Sequence, residues 1–184
     1  EGIDLVVAGA GFSRDMFGMG KESGTPIVPI VSSGKLARIS EGLGAAAVIV
    51  EGSEAGGHLG TNRSSREIVP EVLKAVKNIP VIGAGGVLDG KDIVEMMKLG
   101  ANGVQMGSRF AASEECNASD ELKKMYLRAK APEDVVLIES PVGLPGQAIR
   151  NKFAASVLDG TVPPPTECDR CLKHCSHKFC LIKA

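Results

Sequence analysis

The sequence predicts an α/β fold assembled from parallel βα units, as in the C-terminal part of a (β/α)₈ TIM barrel. Three observations carry that reading. Short apolar runs alternate with stretches of helical spacing, which implies parallel strands joined by helices. Each apolar run ends in small, polar or ionisable residues, as strand ends do at the functional face of a barrel. The chain opens inside an apolar run, with Glu1 rather than Met ahead of it.

The elements follow in order. Ile3–Ala8 reads as a first strand ending in Gly9-Ala10-Gly11, and Ile27–Val31 as a second ending in Ser32-Ser33. Leu36, Ile39 and Leu43 give residues 34–43 helical spacing. Ala45–Val50 is the third strand, and Ile68, Val69, Val72, Leu73 and Val76 space a helix over 65–77. Pro80–Ala84 is the fourth strand. Asp89 can cap a helix over 91–99, with Gly100 after it. Gly103–Met106 is the fifth strand. Beyond Phe110 the pattern changes: residues 120–130 look helical, Val135–Ile138 is a strand outside the series, and 146–158 reads as a helix. A five-strand series suits an open doubly wound sheet, whereas a closed barrel needs eight. The preferred reading is the last five units of a barrel over residues 1–158, with the earlier strands expected elsewhere. Residues 159–184 form a Pro163-Pro164-Pro165 linker and a Cys-rich tail.

Composition narrows the function. At 184 residues the chain is long enough for one domain with a real core, and with no Trp and a single Tyr that core is aliphatic. A net charge of −1 gives no electrostatic case for nucleic acid or an anionic membrane. No run approaches the ~20 apolar residues of a membrane span. Four of the five cysteines crowd the C-terminus, which suggests a reducing, cytoplasmic setting rather than a secreted disulfide scaffold.

The chemistry-bearing turns are the strand ends. Glu51-Gly52-Ser53-Glu54-Ala55-Gly56-Gly57-His58 brings three glycines, two acids and the first histidine of the chain to the end of the third strand. Glycines let backbone N–H groups approach a ligand, and an imidazole exchanges protons near neutral pH. Gly85-Gly86 and Gly107-Ser108 end the last two strands, where barrels bind phosphate. Gly85-Gly86 by itself is also ordinary turn chemistry. Arg109 suits either a phosphate or a carboxylate partner. Glu54 reads as an orienting group rather than a base, and Cys116 as a packing residue. In the tail, Cys168, Cys171, Cys175 and Cys180, interleaved with His174 and His177, are candidate ligands for zinc or an iron–sulfur cluster, although their spacing fits neither usual template.

Three motifs in order, Glu54-Ala55-Gly56-Gly57-His58, Ala84-Gly85-Gly86-Val87 and Gln105-Met106-Gly107-Ser108-Arg109-Phe110, resemble the nitronate monooxygenase family over residues 1 to about 158. The FMN-dependent enoyl-acyl carrier protein reductase II shares the pattern. The resemblance implies an FMN-binding TIM barrel with an inserted small domain. It implies His58 as the catalytic acid/base. It implies Glu51, Gly56, Gly86, Gln105, Met106, Gly107 and Ser108 as FMN contacts. Many family members carry Gln at Glu51 and Thr at Ser108; Ser108 keeps the hydroxyl, while Glu51 brings a carboxylate. The family's first three strands have no counterpart in the chain, and the Cys tail lies outside the core family pattern.

The expected function is FMN-dependent oxidation of an alkyl nitronate. The alternative on the same scaffold is enoyl-thioester reduction from NAD(P)H, and a non-catalytic flavin-binding remnant is a third reading. Thr61-Asn62-Arg63 is polar and basic enough to meet a nitronate or a carrier's phosphopantetheine. The expected partners are the small-molecule substrate and, in a homodimer, a second copy of the chain.

Overall fold

The computed structural model describes residues 2–9, 11–171 and 175–180. Its five apolar runs form strands β1 (Val6–Ala8), β2 (Ile27–Val31), β3 (Val48–Glu51), β5 (Val81–Ala84) and β6 (Gly103–Gln105), with the two-residue β4 (Gly57–His58) between β3 and β5 in the chain. The helices are α1 (Asp15–Ser23), α2 (Gly34–Leu43), α3 (Ser65–Ala75), α4 (Gly90–Lys98), the one-turn α5 (Ser108–Ala111), α6 (Asp120–Arg128) and α7 (Lys152–Leu158). A hairpin of β7 (Val135–Glu139) and β8 (Pro145–Ile149) precedes α7. The chain divides into two units, Glu1–Ala55 with Leu59–Arg109, and Gly56–His58 with Phe110–Ala184.

The first unit is a parallel sheet in the order β1-β2-β3-β5-β6. That order never doubles back. A doubly wound sheet reverses at a switch point and carries helices on both faces; here the helices collect on one face. Val31, Val48, Val50 and Val81 point into a cluster with Ile68, Val69 and Val72 of α3 and Met96 of α4. The alternate residues Val28, Ile49, Ile30 and Ile82 pack with Ala47 and Ala84 in a second cluster built from the strand segments alone. Two buried faces explain the continuous apolar runs, and the single winding is the barrel arrangement rather than the open one. Ser33, Ser64 and Asp89 cap α2, α3 and α4; Asp89 forms a reciprocal capping box with Asp92.

Helix α1 has no counterpart in the spacing argument. Gly18 and Gly20 weaken its propensity. Gly20 is nevertheless required, because a Cβ there would lie 2.6 Å from Ile27 Cγ1 and 2.8 Å from the Thr25 carbonyl oxygen.

The second unit holds an antiparallel sheet in the order β4-β8-β7. The expected helix over 146–158 is corrected here. Residues 145–149 are strand, paired Val136 to Ala148 and Ile138 to Gly146, and the helix begins at Lys152 under an Asn151 cap. The hairpin turn decides it: Ser140 N–H donates to the Leu144 carbonyl, and Gly143 takes φ 82° between them. The tail does not stand apart from this unit. Phe179 is 2% exposed and meets Phe153 of α7 edge-on at 5.6 Å. Ser176 N–H donates to the Pro141 carbonyl at 2.9 Å, and Lys178 Nζ lies 2.7 Å from Glu139 Oε2. Pro163, Pro164 and Pro165 line a hollow with these two phenylalanines and Cys180.

Candidate active site

Three neighbouring strands bring the predicted residues of the first unit to one sheet edge. Glu51 pairs with Ala84, and Ala84 with Gln105. The turns that follow β3, β5 and β6 therefore emerge side by side. Gly85 and Gly86 both take left-handed backbone, at φ 91° and 66°. Gly107 has open space where a Cβ would stand, and Ser108 starts α5 with an exposed side chain. Met106 packs against the helix-side core, while Gln105 and Arg109 are exposed. Ala10, in the turn after β1, lies outside the described residues.

Glu51 closes β3 half-buried, and that burial pushes its carboxyl pKa above the ordinary value. Glu54 behaves oppositely. Partial burial pushes its pKa up, but the Ser64 hydroxyl, the Ser65 N–H and the Arg66 charge outweigh that and hold it below the ordinary range. The Glu54 carboxylate accepts from Ser64 Oγ at 2.5 Å and from Ser65 N at 3.0 Å. It thus ties the Gly-rich turn to the N-terminus of α3, an orienting role. Gly52 is forced by the same contact, since a Cβ there would lie 2.1 Å from Ser65 N.

The Gly85-Gly86 turn is held from beneath. Ser65 Oγ donates to the Gly85 carbonyl at 3.1 Å, and Arg66 Nη2 to the Gly86 carbonyl at 3.1 Å. Arg66 also reaches Glu95 at 2.9 Å and Asp92 at 3.4 Å, with Glu54 at 3.9 Å. Sequence reasoning missed this clamp. Its only local trace is Ser64-Ser65-Arg66 at the start of a helix; its acceptors come from two other segments. Arg63 is committed elsewhere, 2.7 Å from Glu71 Oε2, and Glu71 also accepts from Gly34 N. The basic residue of Thr61-Asn62-Arg63 is therefore engaged within the protein.

In the second unit, His58 lies on β4, opposite Gly146 of β8. Its Nε2 is 2.6 Å from Ser140 Oγ. Ser140 is 3% exposed, and its hydroxyl also receives the Val142 N–H at 3.5 Å. This partner was invisible in the sequence, because only the β4–β8 pairing brings it to His58.

The metal reading of the tail is not upheld. Among the described residues, no three His, Cys, Asp or Glu side chains come together to hold an ion. Cys168 and Cys171 are exposed, while Cys175 and Cys180 are partly covered, and all four are free thiols. Cys180 lines the hollow beside Phe153 and Phe179. His174 lies outside the described residues.

Comparison with known proteins fixes the family. Residues 1–170 match the family described as nitronate monooxygenase, and the chain belongs to it. It is 32% identical over 163 residues to a (3aS,4S,5R,7aS)-5-hydroxy-7a-methyl-1-oxo-octahydro-1H-indene-4-carboxyl-CoA dehydrogenase of Mycobacterium tuberculosis, covering 88% of this chain and 45% of that protein. It is 33% identical over 154 residues to a probable nitronate monooxygenase of Staphylococcus aureus, covering 78% of this chain and 43% of that one. Among solved structures, FabK from Thermotoga maritima superposes with a TM-score of 0.77 at 39% identity, over 84% of this chain and 49% of FabK. Nitroalkane oxidase from Streptomyces ansochromogenes superposes at 0.64 and 29%, over 82% and 44%. The relatives named by activity are oxidoreductases. The chain spans about half the length of the curated relatives it matches.

Proposed function

We propose that the chain supplies the catalytic and phosphate-binding part of an FMN-dependent oxidoreductase that oxidises alkyl nitronates, with His58 as acid/base. The observation that carries this reading is His58 itself: an imidazole two residues beyond Gly56, at the end of a Gly-rich strand-end turn, with its ring held by a buried hydroxyl. Family membership supports the chemistry.

The residues fit the cofactor. Gly86, Gly107 and Ser108 offer backbone N–H groups, open space and a hydroxyl to a phosphate from adjacent strand ends. By family resemblance, Glu51, Gly56, Gln105 and Met106 would be further FMN contacts. When bound, FMN supplies the electron acceptor; the protein supplies position and electrostatics. His58 takes the proton from a neutral nitroalkane, or stands as the cationic partner of a nitronate. Glu54, Ser65 and Arg66 keep the turns in place.

The likeness to FabK favours a second reading, enoyl-thioester reduction from NAD(P)H, in which His58 faces the acyl carbonyl. Anaerobic mixing of the intact flavoprotein with propionate-3-nitronate, and separately with NADPH or NADH, discriminates them. Fast bleaching of the flavin by the nitronate alone is expected; bleaching by the nicotinamide alone transfers the assignment to the reductase. In either case His58→Ala is expected to lower turnover by ~10²–10⁴-fold with flavin retained. Loss of the flavin instead makes His58 structural. Gly107→Asp, which sets a carboxylate against the phosphate, is expected to release the flavin; a stoichiometric yellow variant overturns the phosphate site.

A further inference from the structure

We infer that Ser140 is the positioning residue of His58, holding the imidazole by Nε2 and leaving Nδ1 as the nitrogen that exchanges a proton with substrate. The inference rests on the acid/base reading of His58 and goes one step past it.

A histidine on a two-residue edge strand is fixed through its backbone, paired with Gly146, but its ring still rotates about χ2. An acid/base group has to be held near one geometry, because a small misplacement of a reacting group loses rate steeply. The 2.6 Å contact from Nε2 to Ser140 Oγ supplies that hold. Ser140 is itself fixed on several sides. Its N–H donates to Leu144 O and its carbonyl accepts from Gly143 N at 3.0 Å, so the hairpin turn sets its backbone. Burial and the Val142 N–H restrain its hydroxyl. The docked tail braces the same turn: Ser176 N–H bonds to Pro141 O, the next residue, and Lys178 pairs with Glu139, the preceding one. The serine is thus anchored independently of the histidine it touches.

The hydrogen-bond direction follows from the demands of proton exchange. If Ser140 donates to Nε2, protonation of that nitrogen breaks the bond and the hydroxyl has to turn. If Nε2–H donates to Oγ, the same bond survives in the neutral and cationic imidazole, and only Nδ1 changes its proton. Oγ has two acceptor sites, enough for Val142 N–H and Nε2–H together. The second arrangement lets His58 gain and lose a proton with no reorganisation of its support.

The test reads the histidine directly as well as through turnover. ¹⁵N-histidine labelling with His58→Ala as the assignment control isolates the His58 signal in the intact flavoprotein. The wild type is expected to show neutral His58 as the Nε2–H tautomer. Ser140→Ala is expected to move the ring towards the mixture of tautomers found in free imidazole. It should also lower kcat about tenfold with KM and flavin content little changed, and Ser140→Thr, which keeps the hydroxyl, should restore both. A wild-type ring protonated at Nδ1, or His58 signals that are the same in Ser140→Ala, overturns the inference. The failure of the acid/base reading is a separate result: it appears as full turnover in His58→Ala, whatever the tautomer shows.

Discussion

Glu51 is a carboxyl that the fold prefers neutral. Burial alone raises its pKa, so it favours the native state while protonated. With a raised folded pKa, its contribution is present below the unfolded pKa, about 4.3, and is lost as pH rises through the folded value. Glu51→Gln keeps the shape and removes the charge. It is expected to raise Tm at about pH 8 and to leave it unchanged at about pH 3, where both side chains are neutral. A thermal melt at the two pH values checks this, and a variant that gains nothing at the higher pH contradicts the burial argument. Only some parts of the candidate site are written locally. His58 and the glycines of the strand-end turns were legible because each follows an apolar run within a few positions. Ser140 was not, since it lies 82 residues from His58 and meets it only through a strand pairing. Glu51 was legible as a site candidate but not as a perturbed acid, because the sequence does not report desolvation.

The N-terminus of α3 is the element on which the candidate site is built. It receives the Glu54 carboxylate and supports Gly85 and Gly86 from beneath through Ser65 and Arg66. Arg66 is about three-quarters buried, with a side-chain exposure of 26%, and its fork serves Glu95, Asp92 and the Gly86 carbonyl at once. Truncation to Ala leaves that carbonyl and the acids without their donor, at about 1.5–3 kcal/mol for a charged hydrogen bond. Arg66→Ala is therefore expected to lower stability by that order in chemical denaturation and to weaken FMN binding as the turn loosens. Arg66→Lys is expected to recover little of either, because a single ammonium cannot reproduce the planar fork. A lysine variant with wild-type flavin affinity contradicts the clamp. Elements were legible where the helical period was clear, as in α2 and α3, and in α4 the Asp89 cap agreed with it. They failed where a long-range pairing outweighed local spacing. Residues 145–149 had apolar positions that fit a helix, yet two strands flank them. Helix α1 failed for the opposite reason: Gly20 suits close packing on β2, and with Gly18 it hides the helix propensity.

For the molecule as a whole, the tail decides between an appended segment and part of the fold. Composition alone treats residues 159–184 as linker and cysteines, because a run of three prolines and four thiols has neither helical nor strand period. The deciding residue is Phe179, one large side chain whose burial against Phe153 outweighs the polar character around it. Burying such a ring is worth roughly 3–5 kcal/mol when it is truncated to Ala. A loss of that size multiplies the undocked population by about a hundredfold or more. When reclosing is fast, protease cleavage follows that population. Phe179→Ala is thus expected to speed tryptic cleavage after exposed Arg170 and Lys178 by about that factor while the flavin stays bound. Phe179→Leu, which keeps most of the apolar volume, should remain close to the wild type. Equal cleavage rates for the alanine variant and the wild type would show that the tail is held by something other than this ring. Loss of flavin in Phe179→Ala would place the tail's influence at the cofactor rather than at the Glu139–Pro141 turn that it braces.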